Sequence, residues 1–314
     1  MKWRDLVAYG AALLAVVIGS VLSLRLGLGS ESADWILQEL RIPRLLLALG
    51  VGGGLAVSGL VLQTTLGNPL AEPYTLGVAS GAAIGAALTL ALGEHFGWEF
   101  GASVGAGVVM LFLLRSLTRA GHQGESLILT GVMISLLLAG VLSLWMTLAE
   151  PAGVRALQFW LLGDLGRGTR FSGGLILGFG LLSLPIGMKY ARRLDAFLFG
   201  EAEVEGFGVP LVRTRAIAVI WVSAMVGLCV SAAGMIGFVG LLIPHWVRRL
   251  RGSSLHFHLI PLCWLWGAAL LSAGDAIARS VAEPRELPVG AVLVILGVPG
   301  FLWIQTRRAS GVRS

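Results

Sequence analysis

Reactive side chains are few in these 314 residues: five histidines, two cysteines and 13% charged residues. His256 and His258 of "HFH" are the two imidazoles closest in sequence. At that spacing neither a helix nor a strand converges them well on one ion, and no carboxylate is near in sequence, so a solvated loop without metal is expected. His245, after Pro244 near the end of an apolar run, reads as a hydrogen-bonded packing residue, and His95 and His122 stand alone. Cys229 and Cys263 lie in separate apolar runs, which excludes a disulfide framework and a CxxC site. Lys2 and Lys189 are the only lysines and each follows a methionine, so no GxxxxGK[ST] phosphate loop exists and the chain does not hydrolyse ATP by itself. HExxH is absent as well, and the chain is not read as an enzyme.

Two charged constellations remain. Asp275 and Arg279 are four apart and share a helix face, the spacing of a local ion pair worth about 0.2–0.5 kcal/mol when exposed. Arg41 and Arg44 of "RIPR" flank Pro43 at the head of a long apolar run. With Pro43 in the first helical turn, where its missing N–H costs nothing, both guanidinium groups stand at the positive end of the helix dipole, the unfavourable end for cations.

The elements that hold these residues are membrane spans. Hydrophobic residues make up 56% of the chain, mean hydropathy is +0.86, and soluble domains carry about 25% charge. The fold class is therefore all-α and polytopic, one transmembrane domain over 1–314. Ten apolar segments qualify, near 6–26, 43–65, 75–93, 100–116, 126–148, 171–190, 216–233, 236–250, 259–279 and 288–306. Gly234 alone punctuates the seventh and eighth, and the first reads as a retained span rather than a cleaved signal peptide. The 45 glycines fit close helix packing in lipid. An even span number puts both termini on one side. With the termini cytoplasmic, fifteen of the 23 Lys and Arg residues lie inside and eight outside, a positive-inside bias that orients the chain. The net charge of +6 is thus a matter of membrane topology and lipid contact, not of nucleic acid. Arg41, Arg44 and Arg279 fall outside, so "RIPR" violates both the dipole and the topology preference. Conflicts of that kind concentrate at functional sites.

Two connecting segments are too long for turns. The outside segment 149–170 contains an amphipathic or re-entrant stretch with Phe159 and Trp160. The inside segment 191–215, "ARRLDAFLFGEAEVEGFGVPLVRTR", has an acidic centre between basic flanks, with apolar residues available to a partner's groove.

"RIPRLLLALGVGGGLAVSGLVLQTTLGNPLAEPYTLGVASGA", "AGMIGFVGLLIPHWVRR", "LIPLCWLWGAALLSAGDAIAR" and "ELPVGAVLVILGVPGFLW", in that order, resemble the FecCD family of permease subunits of type II ABC importers. The resemblance implies a ten-span subunit in a homodimer, two ATPase subunits binding ATP and Mg inside, and a periplasmic or lipid-anchored substrate-binding protein outside. No cofactor is implied in the chain itself, and the location implied is the bacterial inner membrane. It assigns Arg41, Arg44 and Arg279 to docking of the binding protein. Coupling to the ATPase falls to the loop in 191–215, where "FGEAEVEGFGV" resembles the family pattern at Gly200, Glu201, Ala202, Phe207, Gly208 and Val209 but departs at Glu205 and Gly206. The cytoplasmic gate maps to Asn68 and Leu70 of "NPL" and to Gly124 and Glu125, where vitamin B12 permeases carry small hydroxyl residues. The cargo implied is an iron complex, siderophore or haem. Vitamin B12 is the alternative, and an ion-coupled secondary transporter a more distant one, since the spans lack a mid-membrane carboxylate and a broken-helix repeat.

Overall fold

The computed structural model describes residues 3–26, 33–92, 97–119, 124–282 and 286–310. Among them the regular structure is helical throughout. The helices are α1 (Trp3–Arg25), α2 (Ala33–Ile36), α3 (Ile42–Thr65), α4 (Val78–Ala91), α5 (Trp98–Arg119), α6 (Gly124–Leu148), α7 (Pro151–Leu161), α8 (Arg170–Ala196), α9 (Glu201–Val204), α10 (Leu211–Ala233), α11 (Val239–Arg251), α12 (His256–Ser280) and α13 (Val289–Ser310). Seven helical stretches are long and apolar enough to cross a bilayer. The shorter apolar helices α4 and α13, and the amphipathic α11 with three arginines in its last turn, cover the remaining three of the ten segments expected. α4 and α11, with 14 and 13 residues, are about 20 Å long and fall short of the ~30 Å hydrocarbon thickness. Helices shielded by neighbours can be that short.

α3 organises the bundle. Every residue from Gly50 to Leu66 is buried, and its glycines are the points where neighbours approach. A methyl on Gly50 would sit 2.6 Å from the Leu177 backbone of α8, and one on Gly52 2.3 Å from the Gly267 carbonyl of α12. One on Gly59 would lie 1.9 Å from the Gly240 carbonyl of α11. Lipid tails give helices no hydrophobic reason to associate, so van der Waals contact between backbones has to hold them. α4 and α5 meet in the same way, Gly81 and Gly85 against Gly105 and Gly101. α1 and α6 are the opposite case. Leu13, Leu14 and Val17 on α1 and Leu136, Leu137 and Leu144 on α6 are all more than half exposed, surfaces for lipid or a partner chain.

Pro43 does not begin a helix. The chain is continuously helical from Ala33 through Thr65, and residues Leu37–Arg41 form a π-helical turn just before α3. The wider turn explains why a proline is accepted there, because in an α-helix its ring would crowd the carbonyl four residues back. The helix dipole therefore starts before Arg41 and Arg44, and the penalty expected from an isolated N-terminus is removed.

The link between α10 and α11 is five residues long, with Gly234 at φ 69° and Phe238 at φ 76°. Phe238 is the one non-glycine described residue with positive φ. Such a backbone costs about 1–3 kcal/mol and needs outside support. Glu72 gives it, accepting a 2.5 Å hydrogen bond from the Phe238 N–H, while the Tyr74 hydroxyl donates to the Ile236 carbonyl at 3.0 Å. Burial raises the Glu72 carboxyl above its ordinary pKa, and the Phe238 N–H opposes that shift.

Candidate functional site

Polar groups gather at the two ends of α3. At its first end Arg41, Arg44 and Arg279, three candidates far apart in sequence, lie near one another around Asp275. Asp275 is fully buried. It accepts from Arg44 Nε at 2.8 Å and from Arg279 Nε at 3.2 Å. The local Asp275–Arg279 pair expected from spacing is thus half of a buried network whose other member lies 231 residues away. Arg44 NH1 also reaches Glu286 at 2.7 Å, and that carboxylate is 56% exposed. Arg41 donates to the carbonyls of Leu24 and Leu26 at the end of α1, and Arg279 to the Ser23 carbonyl at 2.8 Å. Cations at a helix C-terminus meet the negative end of its dipole, so α1 supplies the favourable field that α3 does not.

Arg155, Arg167 and Arg170 are exposed. Arg170 pairs with Glu39 at 3.3 Å, and Arg167 lies 3.9 Å above the Trp98 ring. By sequence these three are among the eight outside cations, and all lie in or beside the outside segment 149–170. α7 itself is the amphipathic helix expected in 149–170, with Trp160 buried and Phe159 exposed.

The second end of α3 carries the coupling and gate candidates. After α8, a 3-10 turn (Phe197–Phe199) leads through Gly200, at φ 102°, into the four-residue α9. Phe197, Val204 and Leu211 form a small core beneath this cap. Phe199 and Phe207 stand above it, exposed, with ring centroids 5.3 Å apart. Gly200, Ala202 and Gly208 are exposed, and Val209 is half-buried. Glu201 turns inward. Its carboxylate pairs with Arg215 at 2.5 Å and accepts the Gly124 N–H at the start of α6 at 3.2 Å. A methyl on Gly124 would lie 3.1 Å from the Leu66 carbonyl, so the first residue of α6 abuts the turn that follows α3. In that turn the Asn68 side chain accepts the Leu70 N–H at 2.9 Å. Leu70 and Glu125 are exposed.

His256 is not in a solvated loop. It is the first residue of α12, fully buried, with Nδ1 2.7 Å from Asp195 and Nε2 2.7 Å from the Thr64 hydroxyl. The carboxylate that sequence proximity failed to supply comes from the end of α8, and it also accepts the His256 backbone N–H at 2.9 Å. This chain ties the ends of α8, α12 and α3. His95 and His122 lie outside the described residues. Cys229 and Cys263 are buried and free.

The model of the FecCD transport family matches residues 6–307. The Fe(3+) dicitrate permease FecD of Escherichia coli is 39% identical over 87% of this chain and 86% of its own length. The vitamin B12 permease BtuC of Serratia proteamaculans is 34% identical over 88% of this chain and 83% of its own. Among solved structures, an inward-facing ABC transporter described as of metal-chelate type aligns at TM-score 0.86 and 30% identity, covering 96% of this chain and 99% of that one. The apolar helices and these matches agree. The chain belongs to the FecCD transport family, as a multi-pass membrane permease subunit of the ABC importer class.

Proposed function

We propose that this permease carries an iron complex, a siderophore chelate or haem, across the bacterial inner membrane. It acts as a homodimer with both termini in the cytoplasm. Two ATP-binding subunits, holding ATP and Mg, engage the second end of α3, and a free or lipid-anchored substrate-binding protein docks at the first. The observation that carries the cargo assignment is the 39% identity to the ferric dicitrate permease. The 34% identity to a vitamin B12 permease supports cobalamin as the second reading.

For the inner partner, the exposed Phe199 and Phe207 pair on a glycine-bounded cap suits an apolar groove, with Gly200, Ala202, Gly208 and Val209 shaping the surface around it. Asn68, Leu70, Gly124 and Glu125 next to that cap are the gate. For the outer partner, Arg44 already holds one exposed carboxylate, Glu286. An acidic side chain of the binding protein would take the place of Glu286, so the buried guanidinium needs no movement to dock. Glu286→Gln should therefore tighten binding-protein affinity about threefold, measured by titration onto the permease complex in nanodiscs; unchanged or weaker binding argues against this exchange.

The deciding experiment is uptake. The chain, purified with its co-expressed ATPase and binding protein and placed in proteoliposomes, should accumulate ferric siderophore or haem only with ATP inside the ATPase compartment. Accumulation of cobalamin alone would install the second reading, and accumulation without the ATPase would install a secondary carrier.

A further inference from the structure

Arg215 is a fully buried cation, four residues into α10. Burying a charge costs several kcal/mol, and an apolar side chain of the same volume would pack at least as well. Its contacts give the expense a use. Nε donates to the Thr65 carbonyl at the end of α3 at 3.0 Å, and NH2 to Glu201 at 2.5 Å. The guanidinium stands 5.9 Å from the Phe197 ring beneath the cap. Glu201 holds the Gly124 N–H with the same carboxylate oxygen that faces Arg215. One carboxylate oxygen and one guanidinium therefore join α9, α10, the last turn of α3 and the first residue of α6. Glu201 sits directly after Gly200, whose positive φ is a backbone conformation that glycine adopts without steric cost.

We infer that Glu201 and Arg215 are positioning residues that carry movement of the 197–209 cap to the gate at the end of α3 and the start of α6. This rests on the importer reading. When ATPase subunits draw the cap aside, Glu201 moves with it and pulls on the α6 N-terminus through Gly124, while Arg215 holds the α3 end through Thr65. The fork matters, because an ammonium is a point charge and lacks the planar pair of donors that reaches Thr65 and Glu201 together. In Glu201→Gln the ion pair is lost, and one uncharged amide oxygen is left to serve both Arg215 and the Gly124 N–H, so the junction that passes the pull to α6 is weakened without a change of volume.

The test uses the permease–ATPase complex in nanodiscs with spin labels at Leu70→Cys and Glu125→Cys, both exposed positions. The native cysteines are buried and leave labelling to the introduced pair. Nucleotide binding should change the label distance in the otherwise native chain, and the change should vanish in Glu201→Gln and in Arg215→Lys while ATPase subunits stay bound. Where uptake is measurable, substrate moved per ATP should fall about tenfold. A distance change that survives both substitutions overturns the inference, as does its absence from the native chain. Loss of assembly in Glu201→Gln, an isosteric change at a half-exposed residue, also overturns it, since the pair would then be a clamp. The label distance needs no substrate, so failure of native uptake counts against the importer reading alone.

Discussion

Asp275→Asn lowers the stability of the folded chain by about 3–5 kcal/mol. The substitution keeps volume and leaves a hydrogen-bonding amide, but it strips the negative charge from a fully buried carboxylate that serves two guanidinium groups. Arg44 keeps the half-exposed Glu286 carboxylate, but Arg279 keeps only the neutral Ser23 carbonyl and is left without a counter-ion. In a bilayer that cation cannot recruit bulk water without distorting the bundle. The half-life of the monodisperse protein in detergent at fixed temperature is the measurement, and it should shorten by orders of magnitude. Adding Arg279→Gln should return part of the loss, because it removes the orphaned charge; a double substitution no better than the single would show that Arg279 is not coupled to Asp275. The same network bears on docking experiments. Charge reversal at Arg44 would set two acids against each other in a buried site, so lost binding in such a variant reports collapse of this end rather than a missing contact.

Gly52→Ala is the second large effect. The added methyl would lie 2.3 Å from the Gly267 carbonyl, and a methyl on Gly267 would meet the Gly52 carbonyl at the same 2.3 Å. Both obstacles are backbone, which cannot rotate away, so α3 and α12 must separate. Overpacking of a tight core costs about 1–3 kcal/mol. Here the cost runs higher, because the same two helices are joined at one end by Arg44–Asp275 and at the other by Thr64–His256, and a wedge between them strains both. Gly140→Ala and Gly174→Ala are the controls. Nothing lies within 4 Å of either new methyl, and the helix gains about 1 kcal/mol of intrinsic propensity. Melting curves in one detergent should rank Gly52→Ala far below the native chain and the controls at or above it; equal curves for all would remove close backbone approach as the basis of α3 packing.

Much of the architecture was legible because apolar runs and their interruptions are local properties. The ten segments fall on ten of the described helices, and α7 lies where its amphipathic pattern put it. What escaped depends on distance along the chain. Asp275 and Arg279 gave a visible pair, but Arg44, 231 residues away, could not be added from spacing. His256 seemed to lack a carboxylate because Asp195 is 61 residues earlier. Pro43 misled for another reason. Proline at a helix start is the commoner case, and the π turn that lets a helix run through it has no signature in residue type. Arg215 passed as one more inside cation, since nothing local says that a basic residue near a span end is fully enclosed.

α3 is gripped along its length by backbone contact with α8, α11 and α12 and bonded at both ends, whereas α1 and α6 leave most of their surfaces uncommitted within the chain. In mechanical terms α3 is a mast. A structure stepped and stayed in that way does not sway independently of its neighbours, so whatever opens and shuts a passage has to be hung on the loosely held spars, and the rigging that reaches them runs through the polar knots at the masthead and the foot.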